Sequence, residues 1–249
     1  MKNIEIYNFL NGIYPIETAC DFDNPGFLVG DRNADTSGVL VALDCDLAAV
    51  CEAERRDCNL IVSHHPVIFD PLRAVTEESV VYALIKNGIS VISMHTNLDI
   101  GIGGVADCVC RAAGLESVRE YSAADGFLLR SAEISPISPK AFAERLKNAF
   151  GAPVRYTEGG KDICRCLICP GSGGEYTAEA VSSGFDALIT GDVKHNQFVA
   201  AENAGLSLFD IGHFNGEDAV VEPLAALLRK EFTGLSVSVY HSDRLKWAY

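Results

Sequence analysis

The stretch Leu60-Ile61-Val62-Ser63-His64-His65-Pro66-Val67 decides how the rest of the chain is read. Four apolar or small residues, stopped by a proline, have the length of a buried strand, and two imidazoles stand where that strand ends. A neutral imidazole has two ring nitrogens to satisfy, and a polar group buried without a partner costs roughly 1–3 kcal/mol. Packing alone explains two adjacent histidines there poorly. Something that binds both explains them better.

Working outward, strands and helices alternate. Val39-Leu40-Val41-Ala42-Leu43 is a continuous apolar run ending at Asp44, and residues 47–56 fit a helix before the strand at 60–63. Residues 77–86 read as an amphipathic helix stopped by Asn87-Gly88. The strand at 89–93 then leads into Met94-His95-Thr96-Asn97-Leu98-Asp99, and a helix spans 105–113. Upstream, the apolar stripe of 3–14 predicts a helix closed by Pro15, while 20–31, rich in Asp, Asn and Gly, reads mostly as turn. Apolar strands alternating with helices predict an α/β fold with largely parallel sheets covered on both faces. In such sheets the functional crevice lies beyond the carboxyl ends of the strands. Asp44, His64, His65, His95 and Asp99 all fall there.

Small and acidic residues at 121–125 mark a boundary, and a second unit follows. It holds strands at 127–134, 153–157, 163–169, 186–190 and 206–211, and helices at 139–150, 175–183 and 193–204. The last of these strands delivers Gly212-His213-Phe214-Asn215-Gly216-Glu217. A helix to Lys230, bent or restarted by Pro223, and a strand at 235–240 close the chain. The expected division is a first lobe at 1–124, a second at 125–206, and a segment at 207–249 that returns to the first lobe with His213 and Glu217.

A chain of 249 residues with 48% hydrophobic content can build a large core, and its formal charge of −14 repels nucleic-acid phosphates and anionic membranes. It has no long apolar run and no signal-like start, so it reads as cytoplasmic, with neither nucleic acid nor membrane as partner. The nine cysteines are odd in number and scattered through apolar runs, as expected of reduced thiols. Cys166 and Cys169 have metal-like spacing, but they lie in a strand interior without a matching second pair.

The strand-end groups His64, His65, Asp99, His213 and Glu217, with His95 close to Asp99, form a nitrogen-and-oxygen set suited to Zn, Fe, Mn, Ni or Co. Five such side chains exceed what one open catalytic zinc takes and suit two divalent ions. Each residue has a plainer account: a hydrogen-bonded strand-end histidine, Asp99 capping the turn after it, Glu217 favouring a helix start. Those accounts must all hold together at strand ends sharing one edge. Gly171-Ser172-Gly173-Gly174 reads as an anion cradle or a tight turn, and Lys194-His195 as substrate contacts or a solvated helix start.

At these residues the chain resembles a known family, the dinuclear-metal-centre proteins called GTP cyclohydrolase I type 2-like or Nif-three-like. The matching stretches are Asp23-Asn24-Pro25-Gly26-Phe27-Leu28-Val29-Gly30, Ser63-His64-His65-Pro66, His95-Thr96-Asn97-Leu98-Asp99, Gly171-Ser172-Gly173-Gly174, Thr190-Gly191-Asp192-Val193-Lys194-His195 and Gly212-His213-Phe214-Asn215-Gly216-Glu217. The resemblance implies two α/β lobes with a two-metal site in the cleft between them. Its ligands would be His64, His65, Asp99, His213 and Glu217, with His95 beside them, and the assembly a ring-shaped homohexamer. It also implies a metal-dependent hydrolase acting on a small molecule, with GTP ring opening named by the family. A phosphoester, a cyclic amide and a non-enzymatic metal-binding or scaffold role remain as alternatives. Two departures stand out: Asn196 replaces a second histidine after Lys194-His195, and the long insertion of some relatives is missing.

Overall fold

The computed structural model describes residues 1–241, which fall into two compact units. The first comprises Met1–Gly101 together with the chain from Val221, and the second is Ile102–Val220. In chain order the first unit begins with α1 (Asn3–Ile13), β1 (Gly26–Val29), β2 (Gly38–Ala42) and α2 (Leu47–Arg55). It continues with β3 (Leu60–Ser63), α3 (Val80–Lys86), β4 (Ser90–Ser93) and the short α4 (Thr96–Ile100). The second unit runs through α5 (Val105–Ala112), β5 (Arg119–Ser122), β6 (Leu128–Ile137), α6 (Pro139–Phe150), β7 (Arg155–Tyr156) and β8 (Ile163–Ile168). It ends with α7 (Thr177–Ser182), β9 (Ala187–Thr190), α8 (His195–Asn203), β10 (Ser207–Asp210) and α9 (His213–Glu217). The chain then re-enters the first unit as α10 (Val221–Glu231) and β11 (Ser236–Tyr240).

The fold class is α/β, as the alternation requires. The first sheet has the order β1-β4-β3-β2-β11 and is parallel except for its β1 edge. Every residue of β2, β3 and β4 is buried, which is why these strands carry no polar alternation. Their helices present apolar faces to a core containing Val50, Ala53, Val81 and Leu84, and Asp46 and Ser79 cap α2 and α3 at their N-termini. The second sheet, β5-β6-β8-β9-β10-β7, is mixed rather than largely parallel: β8, β9 and β10 run parallel, while β5, β6 and β7 join antiparallel. No helix among the described residues is long and apolar enough to cross a membrane.

Three expectations shift. The segment at 121–125 is no linker but the turn of the β5–β6 hairpin, with the Ala123 amide donating to the Phe127 carbonyl at 2.9 Å. The division therefore falls after Gly101. The second boundary moves from 206/207 to 220/221, because β10 pairs with both β9 and β7 and holds His213 and Glu217 in the second unit. Only α10 and β11 return to the first. Pro223 sits in the first turn of α10, where a missing amide proton breaks no helical hydrogen bond, so the helix restarts at Val221. Finally, β1 lies inside the stretch read as turn. Asp23, Asn24, Pro25 and Gly26 mask a four-residue edge strand that pairs with β4 through a register shift after Phe27.

One ion pair ties β8 to the entry of β9. The Asp186 carboxylate accepts from the Cys164 and Arg165 amides at 2.9 Å each and faces Lys161 Nζ at 2.7 Å. Burial pushes its pKa up, but the Lys161 contact and then the two amides outweigh this and hold it below the usual value. A depressed folded-state pKa stabilises the fold above the unfolded value of about 4 and is lost as pH falls through the folded one. Asp186→Ala should cost about 1–3 kcal/mol in urea unfolding at pH 7, since two amides lose their acceptor, and the difference should shrink below about pH 4.

Candidate metal centre

In the first sheet, Ala42 is paired with Ser63 and Ser63 with Ser93, so the carboxyl ends of β2, β3 and β4 lie level. Residues that follow these strands are thereby brought to one edge: Asp44 after β2, His64 and His65 after β3, and His95 after β4. A hydrogen bond between the Ser63 and Ser93 hydroxyls, 2.8 Å, ties the strand ends together. The rings of His64, His65 and His95 lie 5.0–5.6 Å apart, and each offers a nitrogen within 4.8 Å of the others. Asp99, carried by the single turn of α4, places Oδ1 3.5 Å from His64 Nε2. Both residues are buried.

The second unit repeats the logic. Thr190 pairs with Asp210 in parallel register, so Gly191-Asp192 and Gly212-His213 leave adjacent strands side by side. The single turn of α9 then sets His213 and Glu217 four residues apart on one face, Nε2 to Oε2 at 2.9 Å.

Each of these four imidazoles uses Nδ1 in the same way. His64 Nδ1 is 2.8 Å from the Met94 carbonyl, His65 Nδ1 2.7 Å from Asp44, His95 Nδ1 2.8 Å from Asp23 and His213 Nδ1 2.8 Å from Asp192. A carbonyl or carboxylate can only accept, so the neutral ring carries its proton on Nδ1 and presents a lone pair at Nε2; at His213, where Nε2 faces the Glu217 carboxylate, that lone pair calls for a proton or a cation between the two. Metal-ligating histidines are oriented in this manner. Donors at ~2.1 Å from one ion lie roughly 3.0–3.4 Å apart at octahedral to tetrahedral angles, and the His64–Asp99 and His213–Glu217 separations of 3.5 and 2.9 Å fall just outside the two ends of that range. The residues present therefore fit a divalent transition metal.

Asp23 is the most firmly set carboxylate of the group. Its side chain is fully buried, which raises its pKa, yet hydrogen bonds from His95 and then Thr96 bring it down to about 2. It stays ionised across the physiological range. The sequence places Asp44 at its strand end, but it does not mark Asp23, Asp44 or Asp192 as the orienting partner of a histidine. Asp44 and Asp192 each stand 21 residues from their histidine and Asp23 stands 72 away, so no local spacing marks these pairs.

The glycine-rich turn acts on the same side chains. Gly171 has φ +64°, and a Cβ there would meet Glu217 Oε1 at 2.5 Å; one on Gly191 would meet the His213 backbone at 2.7–2.8 Å. The turn's amide at Gly173 donates to Thr190 Oγ1 at 2.7 Å. It is a close-packed wall behind His213 and Glu217. Lys194 and His195 lie exposed at the start of α8, where the Lys194 amide donates to Gln197 Oε1 at 2.8 Å. Among the described residues no cysteine joins a metal-competent group, and burial pushes the Cys166 thiol up to about 12, which keeps it protonated.

The family model of Duf34/NIF3 (NGG1p interacting factor 3) matches residues 1–246 of the chain. The chain belongs to the Duf34/NIF3 family. Among relatives, it is 33% identical over 237 residues to a Campylobacter jejuni protein named GTP cyclohydrolase 1 type 2 homolog, covering 92% of each chain. A Clostridium acetobutylicum protein of the same name is 30% identical over 230 residues, covering 87% of this chain and 85% of that one. Among solved structures, a hypothetical protein of Staphylococcus aureus superposes with a TM-score of 0.91 at 27% identity, covering 100% of this chain and 99% of the other. Within the first unit of this Duf34/NIF3 member, His64, His65 and His95 form a metal-competent group.

Proposed function

We propose that the protein is a metal-dependent hydrolase in which His64, His65, Asp99, His213 and Glu217 hold two divalent transition ions. The observation that carries this reading is the common use of Nδ1 by four histidines, each backed by an oxygen acceptor and each presenting Nε2. Bound there, such ions would act as Lewis acids and make a water molecule more acidic near neutral pH. His95 takes the proton at Nε2, because Asp23 fixes its proton at Nδ1 and stabilises the imidazolium that results. Lys194 and His195 hold an anionic group of the substrate. Relatives named GTP cyclohydrolase 1 type 2 homolog make ring opening of a purine nucleotide the first reaction to try. Phosphoesters and cyclic amides come next, and a homohexamer is the assembly to look for by light scattering.

Metal-loaded protein should turn over one of GTP, cyclic nucleotides, phosphoesters or cyclic amides. His95→Ala should keep its metal content while losing about 10²–10⁴ in kcat. Turnover that is unchanged in this variant would assign the activity to a contaminant, and no turnover of any probe by fully loaded protein would favour a scaffold role.

A further inference from the structure

The rim of the first unit's histidine cluster carries two large apolar rings in solvent. Phe22 is 68% and Phe69 46% exposed. Their centroids are 6.5 Å apart with planes tilted by 48°, and Phe69 stands edge-on to His95 at 6.1 Å. An exposed phenylalanine is ordinary on a loose loop, but these backbones are pinned. Phe22 sits in a turn closed by the Asp23 amide on the Cys20 carbonyl at 2.9 Å. Asp23 is held by His95 and Thr96, the Cys20 amide donates to Thr96 Oγ1, and Asn24 Nδ2 donates to the Ile68 carbonyl at 2.7 Å. The last bond stitches the Phe22 turn to the Phe69 loop. The same aspartate that orients His95 thus also sets the aromatic rim.

We infer that Phe22 and Phe69 form a stacking platform for a flat heteroaromatic ring of the substrate, placed so that the bond to be cleaved lies in or next to that ring. This rests on the hydrolase reading above. Two tilted rings offer one face and one edge to a planar ligand, the arrangement aromatic pairs prefer. The short reach from Phe69 to His95 leaves no room for a long spacer between the stacked ring and the reacting atom. Stacking on an aromatic side chain is sequence-tolerant and affects affinity far more than the chemical step.

The test uses 2-aminopurine riboside, whose emission is quenched by stacking, with ribose 5-phosphate as a non-aromatic competitor. Wild-type full-length protein should quench the probe saturably. The double variant Phe22→Ala/Phe69→Ala should weaken binding about tenfold or more, Phe22→Tyr/Phe69→Tyr should restore it, and ribose 5-phosphate should compete poorly. Metal content, read by elemental analysis, should be equal in all three proteins, so that loss of the platform is distinguished from loss of the metal site. Absence of saturable quenching in the wild type, or equal quenching in the double alanine variant, overturns the platform. So does a change of oligomeric mass in the alanine variant with probe binding unchanged, which would assign the two rings to contact between copies.

Discussion

Stripping the protein of divalent metal with a chelator should lower its thermal midpoint by roughly 8–16 °C, and Asp99→Asn should abolish most of that dependence. An ion that binds only the folded state, at a free concentration near 1,000 times its Kd, stabilises by about 4 kcal/mol. For a protein of this size each kcal/mol moves the midpoint by about 2–4 °C. Asp99 is the informative position because its carboxylate is buried beside His64 Nε2 and is carried by the one-turn helix α4. The Asn side chain has the same shape and leaves α4 intact, but it removes the charge that makes the site attractive to a cation. Elemental analysis should find about two transition ions in the wild type and at least one fewer in Asp99→Asn or His65→Ala. A midpoint indifferent to chelator, with metal-free protein fully folded, would sink the metal reading.

The strands that carry this site were legible because their burial is complete. Val39 to Ala42, Leu60 to Ser63 and Ser90 to Ser93 lie within uninterrupted apolar or small runs, and the parallel-sheet rule then put His64, His65 and His95 at one edge. What stayed hidden depends on contacts between residues far apart in sequence. Asp23 is 72 residues from His95, and nothing local distinguishes it from the other acidic residues of its turn. The β5–β6 hairpin was mistaken for a domain boundary because its turn, Ala123-Ala124-Asp125-Gly126, has the composition of a linker. Pairing, not composition, separates a hairpin from a linker. The same holds for β10: its four buried residues identify it as a strand, but only its pairing with β9 and β7 shows which unit His213 and Glu217 belong to.

His213 and Glu217 on α9 offer the second large effect, with different weights on stability and metal binding at two glycines. At Gly171 a methyl group would meet the free end of Glu217, and the residue sits at φ +64°. The carboxylate can swing aside, so Gly171→Ala should cost only the backbone strain of a left-handed alanine, about 1–2 kcal/mol. Moving Oε1 turns the whole carboxylate, and with it the Oε2 that stands 2.9 Å from His213 Nε2, so metal affinity should fall about 10–100-fold, as when an outer-shell partner is lost. At Gly191 the added carbon would meet His213 N, His213 Cα and the Gly171 carbonyl at 2.7–2.9 Å. These are backbone atoms with nowhere to go. Gly191→Ala should therefore destabilise the metal-free protein by about 1–3 kcal/mol through overpacking, besides weakening metal binding. Ser172, exposed next to Gly171, is the control, and its replacement by alanine should change neither quantity. Calorimetric titration with Mn or Zn, alongside urea unfolding of chelated protein, separates the two effects. If Gly171→Ala binds metal as the wild type does, the glycine turn has no part in aiming Glu217.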